Sequence, residues 1–277
     1  MALVLGGVVS VQCGAAFATT LFDDVGPGGA VALRIGFAAL LLLAIWRPSL
    51  RLRDEAARRD VVLLGLVLAA MNLSFYLSLD RIPLGIAVTL EFVGPLGVAI
   101  AGSRRRLDLL WIALAAAGLL LLSPVPGSDL DAFGVFLALL AGLFWASYIV
   151  LTARVGRAIP GGSGLALAMG VAALAALPVG VIDGAGALLD PELLAVGAAV
   201  AVLSSALPYS LELEALRRLP QGTFGVLMSL EPAVAATVGF VALEQDLAAR
   251  EVVAIGFVLV ASAGALREAG TPPAAEA

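Results

Sequence analysis

The chain of 277 residues contains no histidine and no lysine, and all 16 of its basic residues are arginine. Cysteine occurs once, at Cys13. Charge is scarce, at 13% of residues against about 25% in an ordinary soluble domain. Each absence excludes something. Without histidine there are no serine–histidine pairs, no histidine proton relays and few ways to build a zinc site. Without lysine there is no Walker-type phosphate loop. A single cysteine cannot build a disulfide framework, and in an apolar stretch it reads as a small packing residue. So few charges leave no basic face for nucleic acid. A soluble enzyme and a disordered protein are excluded as well, and the residues imply no metal and no cofactor.

What is present is apolar. Hydrophobic residues make up 61% of the chain, and the mean hydropathy is +1.07. They are spread along its whole length. A membrane-crossing helix needs about 20 of them. The charge-free runs predict ten transmembrane helices, at 2–21, 28–46, 61–79, 83–101, 107–123, 132–151, 162–182, 193–210, 220–242 and 252–266. The first run has no positive flank and no clear cleavage site, so it reads as a span rather than a signal peptide. The segment from Arg47 to Asp60 reads as a solvated basic loop, with a short interfacial helix as the alternative.

Arginine orients these spans. Arg47, Arg51, Arg53, Arg58 and Arg59 follow the second, Arg104 to Arg106 the fourth, Arg154 and Arg157 the sixth, and Arg217 and Arg218 the eighth; Arg267 follows the last. The opposite loops carry Arg81 and Arg250 together with acids such as Asp131, Asp183 and Asp190. An excess of arginine marks the cytoplasmic side, so both termini are expected there.

The chain also repeats. Pro83, Gly85 and Pro95 recur 137 residues later as Pro220, Gly222 and Pro232. Gly14-Ala15-Ala16-Phe17-Ala18-Thr19 is similar to Gly142-Leu143-Phe144-Trp145-Ala146-Ser147, and Pro27-Gly28-Gly29 to Pro160-Gly161-Gly162. The unit is five spans. Five is odd, so the second copy is inverted relative to the first, as in many secondary transporters. The expected fold is therefore an all-α membrane protein, ten transmembrane helices in two inverted five-helix repeats. The halves are 1–125 and 126–267, with a disordered cytoplasmic tail at 268–277.

Two acids lie inside spans: Glu91 in the fourth and Glu231 in the ninth. A charge at the bilayer centre costs about 2.5–3.5 kcal/mol on insertion scales. Such a group faces a cavity, finds a partner or takes up a proton, and a carboxyl that protonates from one side and deprotonates to the other can couple transport to protons. The plainer reading is that these acids hold helices together. Pro95 has no N–H for the carbonyl of Glu91, and Pro232 none for that of Met228, so both prolines break the helical ladder at depth, where a polar lumen is expected to satisfy the freed carbonyls. Arg34, inside the second span, reads as a structural charge that snorkels outward or pairs with an acid. Gln12, Phe17, Asn72, Tyr76, Trp145, Tyr148, Ser205 and Tyr209 are the candidate cavity lining, with packing or interfacial anchoring as the bland alternative for each. Ser10–Gly14 and Gly65–Ala69 have the spacing of close helix contacts.

The string from Ser78 through Asp80-Arg81-Ile82-Pro83-Leu84-Gly85 and Thr89-Leu90-Glu91-Phe92-Val93-Gly94-Pro95 to Leu96 resembles the bacterial threonine/homoserine exporters, in the EamA branch of the drug/metabolite transporter superfamily. Ser229-Leu230-Glu231-Pro232-Ala233 resembles the matching element of the second half, with Leu243 standing where the family usually has glycine. The resemblance implies a carrier in the bacterial inner membrane that exports small amino acids or related metabolites in exchange for protons. Its partners would be a small-molecule substrate, protons and the lipid bilayer, with no nucleic acid. Export of another metabolite or a drug-like compound, and a non-transporting sensor or scaffold, are the alternatives.

Overall fold

The computed structural model describes residues 2–18, 21–49, 54–82, 84–103, 106–122, 131–231, 234 and 249–270. Among these there is no strand. The elements are α1 (Ala2–Ala18), α2 (Phe22–Trp46), α3 (Glu55–Leu79), α4 (Leu84–Glu91), α5 (Val93–Gly102), α6 (Arg106–Leu122), α7 (Ala132–Ala158), α8 (Ser163–Gly184), α9 (Pro191–Ala201), α10 (Leu207–Arg218), α11 (Gln221–Met228) and α12 (Ala249–Gly270). Among the described residues five stretches are long and apolar enough to cross a membrane: Asp24–Trp46, Glu55–Leu79, Ala132–Ala158, Ser163–Leu189 and Pro191–Arg218. Shorter apolar helices lie at Ala2–Val11, Ile86–Gly102 and Val252–Ala265.

Aspartates start several helices. Asp54 accepts a hydrogen bond from the Ala56 N–H at 2.9 Å, Asp131 from Gly134 at 2.6 Å and Asp190 from Glu192 at 2.8 Å. Each satisfies an amide that the first helical turn leaves without a partner. Asp183 reaches across from α8 to accept the Gly28 N–H at 2.9 Å. It sits just past Gly26, where α2 bends at a φ of 67° that glycine alone adopts cheaply. Acids read in the sequence as markers of the outer loops are thus also caps.

Of the helices that differ from the sequence expectation, three bear on the site. The third begins at Glu55, so Arg58 and Arg59 lie on its first turns rather than in a loop; the Asp54 cap makes that start possible. The fourth is not continuous but breaks at Phe92 into α4 and α5. The cause is the one expected of Pro95: the carbonyl of Glu91 loses its helical donor. The eighth runs past 210 to Arg218, through one π-helical turn at Val202–Ala206. Pro208 explains that turn. The Leu207 N–H bonds the Val202 carbonyl, five residues back, so the Leu203 carbonyl would next need an amide on Pro208, which has none. Ser10 Oγ of α1 donates to that carbonyl at 2.5 Å instead. A side chain thereby stabilises a widened turn that would otherwise strand a polar group.

The helices pack through small residues, as expected where lipid offers no hydrophobic drive between them. α2 lies along α8, α3 against α7 and α8, α1 against α10, α9 against α2, α5 against α11, and α6 against α12. Gly65 of α3 touches the Ala168 carbonyl of α8, and Gly14 of α1 rests on Leu203 and Ser204. The outer surface is apolar: Leu40, Leu143, Leu174 and Ile182 are all exposed. Lipid is the solvent that makes such a surface favourable.

Candidate substrate site

The polar residues of α2, α3, α4, α7 and α10 meet inside the bundle. Glu91 ends α4, and its side chain is buried. The freed Glu91 carbonyl does not face a lumen. It lies against α7 at Gly142, where an added Cβ would sit 2.6 Å from it. One step on, Gly94 leaves no room for any side chain beneath the Gly142 carbonyl. Two glycines therefore let α4–α5 and α7 approach backbone to backbone. Phe92 packs edge-on to Trp145, with ring centroids 4.9 Å apart.

Next to this seam lies a chain of hydrogen bonds. Asn72 Nδ2 donates to its own helix at the Leu68 carbonyl (2.7 Å) and to Tyr209 Oη at 3.2 Å. The Tyr209 ring lies 5.5 Å from the Tyr148 ring. Tyr148 Oη donates to Glu212 Oε2 at 2.8 Å. Asn72, Tyr148, Tyr209 and Glu212 are all buried. Glu231 is half-buried, and its charge acts on both Glu91 and Glu212.

Arg34 joins the same group. Its guanidinium lies 4.8 Å from the centre of the Tyr76 ring, a cation–π distance. Its charge acts on Glu91 and Tyr209. It does not snorkel, being 8% exposed. Among the described residues it has no hydrogen bond or ion pair, and Nε is buried without a partner. Ser205 is buried in the π turn with its hydroxyl likewise unbonded. The side chains of Gln12 and Phe17, the whole of Pro232 and the tail from 271 lie outside the described residues; Pro95 is buried in α5.

Sequence reading brought Glu91, Asn72, Tyr76, Trp145, Tyr148 and Tyr209 to this region. It missed Glu212, because the eighth helix was ended at 210. The signal was in the string Tyr209-Ser210-Leu211-Glu212-Leu213-Glu214. Glu212 is three residues from Tyr209 and shares its helix face, whereas Glu214 points away to Arg217 and Arg218.

A second feature is a cavity of about 560 Å³ at the arginine-rich end, lined among others by Ser103, Asp108, Trp111, Arg157, Gln221 and Thr223. No group of three or more metal-ligating side chains occurs among the described residues.

A buried group of acids, phenols and one guanidinium inside a bundle with an apolar exterior defines the class as membrane transporter, since ionisable groups at such depth line substrate and ion paths. The comparisons identify the family. The model of the EamA-like transporter family matches residues 132–267. The threonine/homoserine exporters RhtA of Salmonella typhimurium (strain SL1344) and Escherichia coli (strain K12) are each 44% identical over 266 residues, covering 95% of this chain and 89% of theirs. The chain belongs to the EamA-like transporter family. One solved crystal structure superposes with a TM-score of 0.79, covering 96% of both chains at 18% identity, a likeness of fold.

Proposed function

We propose that the protein is an inner-membrane secondary transporter that exports small amino acids, threonine and homoserine first among them, in exchange for protons. The observation that carries this reading is the cluster of buried Glu91, Glu212 and Arg34, with half-buried Glu231, among the tyrosines of α3, α7 and α10. A bilayer tolerates ionisable groups in such number only where they serve an ion or a substrate. The printed names of the relatives supply the substrate class.

Alternating access between two inverted halves, 1–125 and 126–267, is part of the proposal. The packing supports it. Exchanging the first five spans with the last five turns the α3–α7 contact into α10–α1, and the α3–α8 contact into α9–α2; α2–α8, α5–α11 and α6–α12 map onto themselves. Asn72 and Tyr209, which bond each other, stand 137 residues apart. That is also the offset between Pro83 and Pro220. Equivalent residues touch each other only near a two-fold axis, which is where a rocking carrier holds its substrate. The cavity at the arginine-rich end is then the cytoplasmic loading side, with both termini on the same side. Glu91 and Glu231 carry protons or hold the substrate's ammonium group. The remaining candidates in the bundle shape the pocket.

The test is efflux. Cells overproducing the protein are loaded with a threonine-containing dipeptide, and threonine leaving them is followed beside Glu91→Gln at equal membrane abundance. Faster efflux that the variant loses is expected. Faster efflux that the variant keeps would assign Glu91 to packing. Unchanged efflux of threonine and homoserine would overturn the substrate class, and unchanged efflux of a broad metabolite set would leave a sensor or scaffold.

A further inference from the structure

Arg34 is a charged group of the cluster whose Nε donor the described residues leave open. The acids have partners or charged neighbours: Glu212 holds the Tyr148 hydroxyl, and Glu91 lies in the fields of Glu231 and Arg34. Tyr209 bonds Asn72 and Tyr148 bonds Glu212. Arg34 is 8% exposed, its Nε has no acceptor, and among the described residues it has no ion pair. A guanidinium withdrawn from water without an anion is strongly unfavourable. It persists where a ligand supplies the missing anion.

The orientation says what kind of anion. A guanidinium hydrogen-bonds in its own plane and stacks through its face. The guanidinium carbon lies 4.8 Å from the centre of the Tyr76 ring, and Nε, on the guanidinium edge, has no acceptor among the described residues. The edge matches a planar carboxylate with two parallel N–H···O bonds. The charges of Arg34 and Glu231 both act on Glu91, so an acid shares the buried neighbourhood of the guanidinium. One positive fork and one carboxyl group in a buried polar cluster form the complement of a zwitterion.

We propose that Arg34 receives the α-carboxylate of the transported amino acid while Glu91 faces its ammonium group, so that the pocket selects intact α-amino acids and rejects amines that lack the carboxylate. This rests on the amino-acid exporter reading and adds to it the residue that sets the substrate class. The pairing also explains why Arg34 is held by a ring rather than by an acid. A permanent partner would have to be broken for each substrate, whereas the Tyr76 ring lies against the guanidinium and Nε stays without an acceptor among the described residues.

The test uses the full chain in proteoliposomes exchanging labelled threonine, with unlabelled competitors. Threonine and homoserine should compete. Threoninol, which keeps the ammonium and hydroxyl groups and has an alcohol in place of the carboxylate, should compete at least about thirtyfold less well, the scale of leaving one buried charge unpaired. Arg34→Gln should raise the half-saturation concentration for threonine by a similar factor, and Arg34→Lys, a point charge without the fork, should recover part of it. Threoninol competing as well as threonine would overturn the proposal, and that comparison needs only the wild type, whatever the variants do to folding. A folded Arg34→Gln with unchanged half-saturation would overturn it too. A wild type that exchanges neither threonine nor homoserine would overturn the exporter reading itself.

Discussion

Arg217 and Arg34 carry the same side chain in opposite circumstances. Arg217, near the end of α10, is saturated. Its Nε donates to the Gly156 carbonyl at 2.8 Å, Nη2 to the carbonyls of Ile159 at 2.8 Å and Gly161 at 2.5 Å, and Nη1 to Glu214 at 3.1 Å. It takes up carbonyls that the end of α7 and the turn into α8 leave open, and so ties α10 to α7 and to that turn. Arg34 is more deeply buried and donates to nothing among the described residues. The same contrast holds two residues apart on α10, where Glu214 pairs with Arg217 and Arg218 while Glu212 turns inward to Tyr148. Charges at the arginine-rich end are satisfied by the protein. Those in the bundle interior are left partly open, and an unsatisfied buried group is where a transporter has something to gain from its cargo.

The largest effect should come from the interior. Glu91→Gln should slow threonine exchange in proteoliposomes at least about thirtyfold while leaving the thermal midpoint in detergent nearly unchanged. Arg217→Ala should do the reverse. Loss of its carbonyl bonds should lower stability by about 2–3 kcal/mol, seen as a lower midpoint, with the half-saturation for threonine unaltered in the protein that remains folded. If Arg217→Ala changed half-saturation instead, the contrast between the two arginines would fail. Gly142→Val tests the seam that carries Glu91. Its side chain would collide with the Glu91 backbone at a cost of about 1–3 kcal/mol, lowering midpoint and exchange together. Gly97→Val, whose Cβ would meet nothing within 4 Å, is the control. Tyr209→Phe removes the bond to Asn72 and should cost about 1 kcal/mol, read as a small fall in midpoint. Glu214→Gln, at a half-exposed pair, should change stability by less than about 1 kcal/mol, and exchange not at all.

Much of this was legible in the chain itself. The break in the fourth helix follows from Pro95. The inward placing of Asn72 with Tyr76, and of Trp145 with Tyr148, follows from helical spacing. Close contacts at Ser10–Gly14 and Gly65 follow from small residues at the right interval, and both occur. Glu212 escaped because the end of α10 is set by what Arg217 and Arg218 bond, and those partners lie on α7 and on Glu214. The fate of the Glu91 carbonyl escaped for a similar reason. A freed acceptor in the sequence says nothing about whether water or a neighbouring glycine will face it.

The sequence alone determined the solvent of this protein, the helical class and the depth at which acids and prolines fall, because transfer to lipid and backbone satisfaction are local costs that each segment meets by itself. Tertiary structure alone decided which charges meet. Arg34, Glu91, Tyr148 and Glu212 lie far apart in the chain, and whether a buried guanidinium finds an acid, a ring or an open edge depends on how helices pack, which no single segment encodes.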